Sequence, residues 1–177
     1  MVLPYPISLR DATGTDAPLL RHWDQQAHVR EATNADEDWE WEQELSRKPP
    51  WRQQLIAMLD DRPLGFVQII DPYEEETHYW GHVEPNLRAI DVWLGNSADR
   101  RKGYGTSIMR LAFQRCFASA QVQGILIDPF LTNEAAHRFY ETLGFKKLGP
   151  RELEGDLCLV YRLDRTDWKK HWPEDGD

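Results

Sequence analysis

The chain has 177 residues, of which 41% are hydrophobic and 29% are charged, values typical of one globular domain with its own core. Its longest apolar runs, at 65–70 and 124–127, are far shorter than a membrane span, which excludes an integral membrane protein. The excess of 30 acidic over 21 basic residues gives a net charge of −9, which argues against nucleic-acid binding and favours a cationic partner.

Targeting and cysteine patterns indicate the compartment. Residues 1–10 lack a basic flank followed by an apolar stretch, so we expect no secretory signal and a cytoplasmic location. Cys116 and Cys158 are too few for a disulfide framework and lack metal-ligand spacing, so we expect two buried thiols and no metal.

The expected organisation is a single domain over 1–177, with its core at about 8–163 and a polar tail at 164–177.

Apolar residues repeat at helix or strand spacing along the chain, with turn residues between the repeats. The first half is predicted to contain a short strand at 8–10, a helix from Asp16 to about Val29, an acidic helix at 35–44, a hairpin of strands at 53–59 and 64–70, and a loop at 71–86. The second half is predicted to contain a strand at 87–94, a glycine turn at 96–105, a helix at 106–119, a strand at 124–128, a helix at 133–143 and a strand at 158–163. This order predicts an α/β (α+β) fold with a mixed sheet flanked by helices.

Eight tryptophans are many for a chain of this length. Five lie in polar stretches, where burial does not explain them: Trp39, Trp41, Trp80, Trp168 and Trp172. We expect them to line a binding surface, or else to form a dimer interface. The acidic helix and Glu74–Glu76 are expected to be solvated, with substrate contact as the alternative.

The turn after the strand at 87–94 carries Arg100-x-x-Gly103-x-Gly105-Thr106. Glycines let the backbone approach a ligand, and the first amides of a helix lie unpaired at the positive end of its dipole. The turn therefore predicts a pyrophosphate site, to which the basic side chains of 100–102 add positive charge. The alternative is a sharp turn without a ligand. Neither the dinucleotide fingerprint nor the phosphate loop of nucleotide hydrolases matches it.

A second motif, Asn133-x6-Tyr140-x3-Gly144-Phe145, follows the strand at 124–128. With the glycine turn it resembles the GNAT superfamily of acyl-CoA-dependent N-acyltransferases over about residues 8–163. The resemblance implies a splayed central sheet in which acetyl-CoA lies between two strands that separate after the one carrying Asp91. It also implies that the cofactor is contacted by Val92, Trp93, Leu94, Arg100, Arg101, Lys102, Gly103, Tyr104, Gly105, Thr106 and Asn133.

Within that superfamily the sequence is most similar to the aminoglycoside 6′-N-acetyltransferases. The likeness rests on Arg88-Ala89-Ile90-Asp91-Val92-Trp93-Leu94, Asp128-Pro129, Phe139-Tyr140-Glu141 with Gly144-Phe145, and Gly65-Phe66-Val67-Gln68. It implies that Asp91 is the base or proton relay on the acceptor amine and that Tyr140 is the acid for the departing thiolate. The implied substrate contacts are Gln68, Glu76, Asp91, Asp128 and Asp156.

The chemistry of these residues agrees with the resemblance. An ammonium group must lose a proton before the amine attacks a thioester, and Asp91, in mid-strand between apolar neighbours, supplies a carboxylate for that proton. A phenol such as Tyr140 can protonate the leaving sulfur, and N–H groups at 92–94 can stabilise an oxyanion. The alternatives are structural: Asp91 pairs with Arg88 or caps a loop, Tyr140 is a core aromatic, and Asp128 ends a strand.

The expected function is therefore acetyl transfer from acetyl-CoA to a primary amine of a polycationic small molecule, in a ternary complex without an acyl-enzyme. An aminoglycoside 6′-amine is the first candidate, and its acetylation implies antibiotic resistance. The alternatives are another amine (a siderophore hydroxylamine, a polyamine, or a protein N-terminus or lysine) and a non-catalytic acyl-CoA-binding module. No nucleic acid or membrane partner is expected, and the protein is a monomer or a homodimer.

Overall fold

The computed structural model of the protein describes residues 5–33 and 39–173. Its strands are β1 (Ile7–Asp11), β2 (Arg52–Leu59), β3 (Arg62–Ile70), β4 (Leu87–Leu94), β5 (Gly124–Ile127), β6 (Lys146–Leu153) and β7 (Asp156–Asp164). Its helices are α1 (Ala17–Asp24), α2 (Ala27–Ala32), α3 (Trp41–Ser46), α4 (Tyr104–Phe117), α5 (Glu134–Thr142) and α6 (Arg165–His171). Within the described residues the strands form one seven-stranded sheet in the order β1-β2-β3-β4-β5-β7-β6.

The sheet is mixed, which confirms the expected fold class. β4 and β5 are parallel, with Leu87 opposite Gly124 and Ala89 opposite Leu126, and helix α4 lies in the crossover between them. β7 lies antiparallel between β5 and β6. The whole of β5 is buried, as its continuous apolar run predicts.

The chain divides into two compact units, and the first, called here the N-terminal unit, comprises Val2–Ile69 and Asp91–Phe113. Its core contains Trp23, Trp41 and Phe66, which are almost completely buried. The ring of Trp41 meets Phe66 edge-on at 5.3 Å, and its indole N–H donates to the carboxylate of Asp24. The buried ring of Trp41 therefore holds α3 in this core, and its indole N–H keeps a hydrogen-bond partner.

The C-terminal unit comprises mainly Ile70–Ile90 and Gln114–Asp177. Its core includes Trp80 and apolar residues of β4, β5 and β7. The guanidinium of Arg165 lies 4.8 Å from the ring of Phe117 and donates to the carbonyls of Phe117, Ser119 and Val122. A cation thus satisfies backbone acceptors at and beyond the C-terminal end of α4. The expectation of a single domain stays a prediction.

The N-terminal helices differ from the predicted ones. The expected helix from Asp16 to Val29 is divided into α1 and α2, because Gln26 has an extended backbone. The buried residues Trp23 and Val29 are six positions apart, a spacing that one straight helix would place on different faces. The predicted acidic helix at 35–44 is also wrong in its bounds, since α3 starts at Trp41; its residues 35–38 lie outside the described residues.

Two elements near the C-terminus were not predicted. β6 is exposed along most of its length and pairs with β7 on one side, so its sequence shows no alternation of apolar and polar residues. The expected polar tail contains α6, whose Trp168 is buried and stacks on Phe117 at 4.7 Å. Trp41 is buried as well, so the expected tryptophan-lined surface is wrong for Trp41 and Trp168.

Candidate active site

The candidate base, Asp91, lies on β4, in the part of that strand that belongs to the N-terminal unit. Its Oδ2 accepts a hydrogen bond of 3.0 Å from Nε2 of Gln68 on β3, and Gln68 Oε1 accepts one of 3.1 Å from Nε2 of Gln54 on β2. Desolvation by burial raises the pKa of Asp91, and the Gln68 hydrogen bond opposes that rise. A carboxylate with a raised pKa is a better acceptor for a proton at neutral pH.

The alternative in which Asp91 pairs with Arg88 is wrong. The Arg88 guanidinium donates to Oδ2 of Asp71 at 2.8 Å, within the C-terminal unit. Gln68, expected to contact substrate, is 4% exposed, and its amide group is hydrogen-bonded to Gln54 and Asp91. Its contact with substrate stays a prediction.

Trp93, two residues after Asp91, packs between aromatic rings. Its ring lies 4.7 Å from that of Phe66, and its buried indole N–H has no hydrogen-bond partner among the described residues. A side chain in place of Gly65 would put its Cβ 2.4 Å from the carbonyl oxygen of Trp93, so glycine permits this close approach of β3 and β4.

The turn predicted to hold a pyrophosphate contains two residues with a left-handed backbone. Arg101 and Gly103 adopt left-handed φ values of 61° and 83°, and α4 begins at Tyr104. Just before the turn, Asp99 is 6% exposed and accepts hydrogen bonds of 2.7 and 3.1 Å from Arg62. The Arg62–Asp99 pair therefore anchors one side of the turn. Positive potential comes from the exposed side chains of Arg101 and Lys102 and from the start of a 14-residue helix.

Leu94, at the end of β4, has a defined partner. Its carbonyl oxygen accepts a 2.7 Å hydrogen bond from Nε2 of His28 on α2. The next residue, Gly95, donates its N–H to the carbonyl of Leu64 at 3.0 Å, so the β3–β4 pairing continues to this end of the strand. The proposed contacts of Val92, Trp93 and Leu94 with a cofactor stay predictions.

In the C-terminal unit, the loop at 71–86 is organised by Glu75, a residue that the sequence did not single out for this role. Glu75 is 7% exposed and accepts hydrogen bonds from N and Oγ1 of Thr77, at 2.7 and 2.9 Å, and from N of Tyr79, at 3.0 Å. Burial acts to raise the pKa of Glu75, but these hydrogen bonds and His78 outweigh it and leave the pKa below its usual value. Glu76, the expected substrate contact, is exposed.

The loop positions Tyr79 against Asp128, which follows β5. The Tyr79 hydroxyl donates to Oδ2 of Asp128 at 2.6 Å. Burial raises the pKa of Cys158 to about 11, and the negative charges of Asp128 and Asp156 add to that rise. Asp128 and Asp156, two of the four predicted substrate carboxylates, therefore act on one buried thiol, which places them in the same neighbourhood of this unit.

An open cavity of about 510 Å³ lies in the C-terminal unit between residues 77–82 of the loop and residues 151–154 at the end of β6. Its lining includes the aromatic residues Tyr79 and Trp80, the acidic residues Glu152 and Glu154, and the basic residue Arg151. Aromatic faces and carboxylates are the groups that bind ammonium ions. The lining also includes His78 and His82.

The two predicted residues near α5 have clear local roles. Oδ1 of Asn133 accepts a hydrogen bond from N of Ala136 at 3.1 Å and caps the helix, so a cofactor contact would come from its amide nitrogen. Tyr140 is half-buried, with its ring 5.7 Å from that of Phe145. Gly144 ends the helix with a φ of 94°, as expected for a C-terminal glycine. The catalytic role of Tyr140 stays a prediction.

Comparison with known proteins identifies the family. A model described as an acetyltransferase (GNAT) domain matches residues 12–153. The aminoglycoside N(6')-acetyltransferase type 1 of Klebsiella pneumoniae is 28% identical over 151 residues, covering 81% of this chain and 75% of that protein. The lysine N-acyltransferase MbtK of Mycobacterium tuberculosis is 24% identical over 172 residues, covering 90% of this chain and 78% of that protein.

Solved structures agree in fold. The crystal structure of the aminoglycoside acetyltransferase AAC(6')-Ib in complex with coenzyme A matches with a TM-score of 0.83 and 26% identity, over 93% of this chain and 98% of that chain. The same enzyme in complex with coenzyme A and kanamycin matches with a TM-score of 0.83 and 25% identity. Among residues 5–33 and 39–173, no helix is long and apolar enough to cross a membrane, and no group of three or more potential ligands could hold a metal ion. The family model covers most of the chain, and the chain belongs to the GNAT family of acetyltransferases.

Proposed function

We propose that this chain transfers an acetyl group from acetyl-CoA to a primary amine of a polycationic small molecule, with a 6′-amino aminoglycoside as the first candidate. The observation that carries the proposal is Asp91, a strand carboxylate with a pKa raised by burial and one oxygen held by Gln68. Such a group can accept the proton that an ammonium must lose before it becomes a nucleophile. The similarity to the Klebsiella pneumoniae enzyme supports the aminoglycoside as acceptor.

The residues present fit a coenzyme A thioester. In this proposal the left-handed turn and the first amides of α4 hold the pyrophosphate, together with the side chains of Arg101 and Lys102. Acetyl-CoA supplies an activated acyl group in which a carbonyl carbon is open to attack by an amine.

Each proposed catalytic residue then has one task. Asp91 accepts the proton that the ammonium loses before attack, and Tyr140 donates its phenolic proton to the coenzyme A sulfur as the carbon–sulfur bond breaks. The second proton on the nitrogen, which the new amide must lose, then returns the Tyr140 phenolate to its neutral form. Backbone N–H groups of 92–94 stabilise the negative charge that develops on the carbonyl oxygen. No covalent acyl-enzyme is required, because the amine attacks the thioester directly.

The C-terminal unit supplies the proposed acceptor site. Asp128, Asp156 and the carboxylates of the cavity would pair with the ammonium groups of a polycation, and the rings of Tyr79 and Trp80 would cover its apolar face. The proposed compartment is the cytoplasm, since both cysteines are free and buried, as is usual where thiols stay reduced.

A lysine-type amine is the second candidate acceptor. The relative named lysine N-acyltransferase MbtK aligns with 90% of this chain, more of it than the aminoglycoside enzyme does, although at 24% identity. A lysine side chain carries one ammonium group at its reacting end, so it would use fewer of the carboxylates in the C-terminal unit.

The test is release of free coenzyme A thiol from acetyl-CoA with aminoglycosides with and without a 6′-amine, polyamines, lysine and short peptides. Turnover confined to 6′-amino aminoglycosides would support the proposal, whereas turnover confined to another amine would overturn the acceptor. Asp91→Asn should lower kcat at least tenfold, as loss of a general base does, with acetyl-CoA affinity unchanged. Asp61→Asn, at an exposed turn residue with the same charge change, is the control and should keep full activity.

A further inference from the structure

Three neighbouring strands are linked by a chain of side-chain hydrogen bonds that ends at Asp91. Gln54 on β2 donates from Nε2 to Oε1 of Gln68 on β3, and Gln68 donates from Nε2 to Oδ2 of Asp91 on β4. Gln68 is 4% exposed and Gln54 is half-buried. The chain runs in one direction, because at each step an amide N–H points toward the carboxylate.

The direction matters because the two ends of a glutamine amide have almost the same shape and opposite hydrogen-bonding character. An ionised carboxylate can only accept, so it needs the NH₂ end of Gln68. If Gln68 turned over, its oxygen would face the oxygen of Asp91, and the two would repel. The N–H of Gln54 prevents this, because it gives the Gln68 oxygen a partner on the side away from Asp91.

We propose that Gln54 is a positioning residue for acetyl transfer, which acts through Gln68 by keeping the Gln68 N–H directed at Oδ2 of Asp91. With Oδ2 held in this way, Oδ1 is the oxygen that takes the proton of the acceptor ammonium. The inference rests on the proposed function, because it assumes that Asp91 is the base. Gln54 itself touches neither substrate nor cofactor.

Two substitutions remove the donor and keep the length of the side chain. Gln54→Glu has nearly the same shape but presents only acceptors to Gln68, and Gln54→Met fills the space without any N–H. Loss of one hydrogen bond that orients a charged group predicts a fall in kcat of about fivefold to tenfold for both variants. The KM for acetyl-CoA should not change. Gln53→Glu, at an exposed position next along the same strand, adds the same charge and should retain the kcat of the unsubstituted protein.

A double-mutant cycle separates positioning from general stabilisation. If Gln54 acts through Asp91, either substitution should change the residual rate of Asp91→Asn by less than about twofold, because the group being positioned is already lost. The same fivefold to tenfold fall in both backgrounds would overturn the proposal. Full kcat in both Gln54→Glu and Gln54→Met would also overturn the proposal, and this holds whatever the relative stability of the two variants.

A second measurement needs no turnover and therefore separates this inference from the proposed function. The side-chain NH₂ signals of Gln68 can be followed by ¹H–¹⁵N spectroscopy and assigned by their absence in Gln68→Met. They should shift in Asp91→Asn and also in Gln54→Glu, whereas Gln53→Glu should leave them in place. If they shift as expected while no amine is acetylated, the hydrogen-bond chain stands and the proposed reaction fails. If Gln54→Glu leaves them unmoved, Gln54 does not orient Gln68 and the inference is overturned.

Discussion

Replacing Glu75 by glutamine tests whether this buried carboxylate holds the loop at 71–86. The carboxylate accepts three hydrogen bonds, from N and Oγ1 of Thr77 and from N of Tyr79. A glutamine keeps only one acceptor oxygen. Its NH₂ group takes the place of the second carboxylate oxygen, where it faces another hydrogen-bond donor. With the oxygen in place of Oε2, the Thr77 N–H loses its 2.7 Å partner. Loss of this part-buried hydrogen bond to a charged group costs about 1–3 kcal/mol, which is the expected fall in the free energy of unfolding at pH 7.

The pH dependence of this difference follows from the pKa of Glu75, which lies below its usual value in the folded protein. A lowered folded-state pKa contributes stability that is fully present above the unfolded-state pKa, about 4.3. That contribution is lost as the pH falls through the folded-state pKa, where the carboxyl group becomes protonated. Because glutamine does not titrate, the stability difference between the two proteins should be largest at pH 7 and should shrink toward pH 3.

Urea unfolding at pH 7 and pH 3 measures both quantities. Glu74→Gln is the matched control, since Glu74 is exposed and its replacement changes the charge equally. Because the loop carries Tyr79, the KM for the amine acceptor should rise in Glu75→Gln while the KM for acetyl-CoA stays the same. An equal loss of stability in both variants, or a difference that is as large at pH 3 as at pH 7, would refute this reasoning.

Two further predictions concern the glycine turn and the cysteines. Gly103→Ala places a Cβ at a left-handed φ of 83°, and this strain of about 1 kcal/mol should raise the KM for acetyl-CoA severalfold in steady-state assays and leave the amine KM unchanged. Gly14→Ala, where the added methyl group meets open space, is its control, and equal KM values for all three proteins would contradict the role of the turn. Burial raises the pKa of Cys116 to about 12 and that of Cys158 to about 11, so neither thiol should react with Ellman's reagent at pH 8 until urea unfolds the protein. A thiol that reacts within seconds in the folded protein would show that its burial has been misjudged.

The sequence predicts those elements that have a buried face with a regular period. β4 was predicted with its observed bounds, and α4, α5 and the β2–β3 hairpin differ from prediction by a few residues. Most side chains of β6 are exposed, and α6 buries Trp168. Each element has only seven or eight residues, so neither shows a regular repeat of apolar residues. The position of α6 depends on Phe117, a partner distant in the chain, whereas β6 is held by β7, which follows it after a turn of two residues.

The same limit applies to the candidate site. Asp91 was recognised because a carboxylate in the middle of an apolar strand is unusual, and Gly103 because a turn before a helix needs a left-handed residue. Gln54 and Tyr79 could not be recognised in this way, because their roles arise from hydrogen bonds to residues 14 and 49 positions away. Glu75 lies within a run of three glutamates, and only the fold of the loop distinguishes it from its neighbours.

The strand order of the C-terminal unit has a consequence for synthesis of the chain on the ribosome. β7 is translated after β5 and β6, yet it lies between them and supplies the hydrogen-bond partners of both. Until residues 156–164 emerge, the apolar β5 has an open edge, which is the kind of surface through which nascent chains aggregate. Expression yield should therefore depend on how fast the last part of the message is translated, and ribosome pausing between the codons for β5 and β7 should favour association with chaperones.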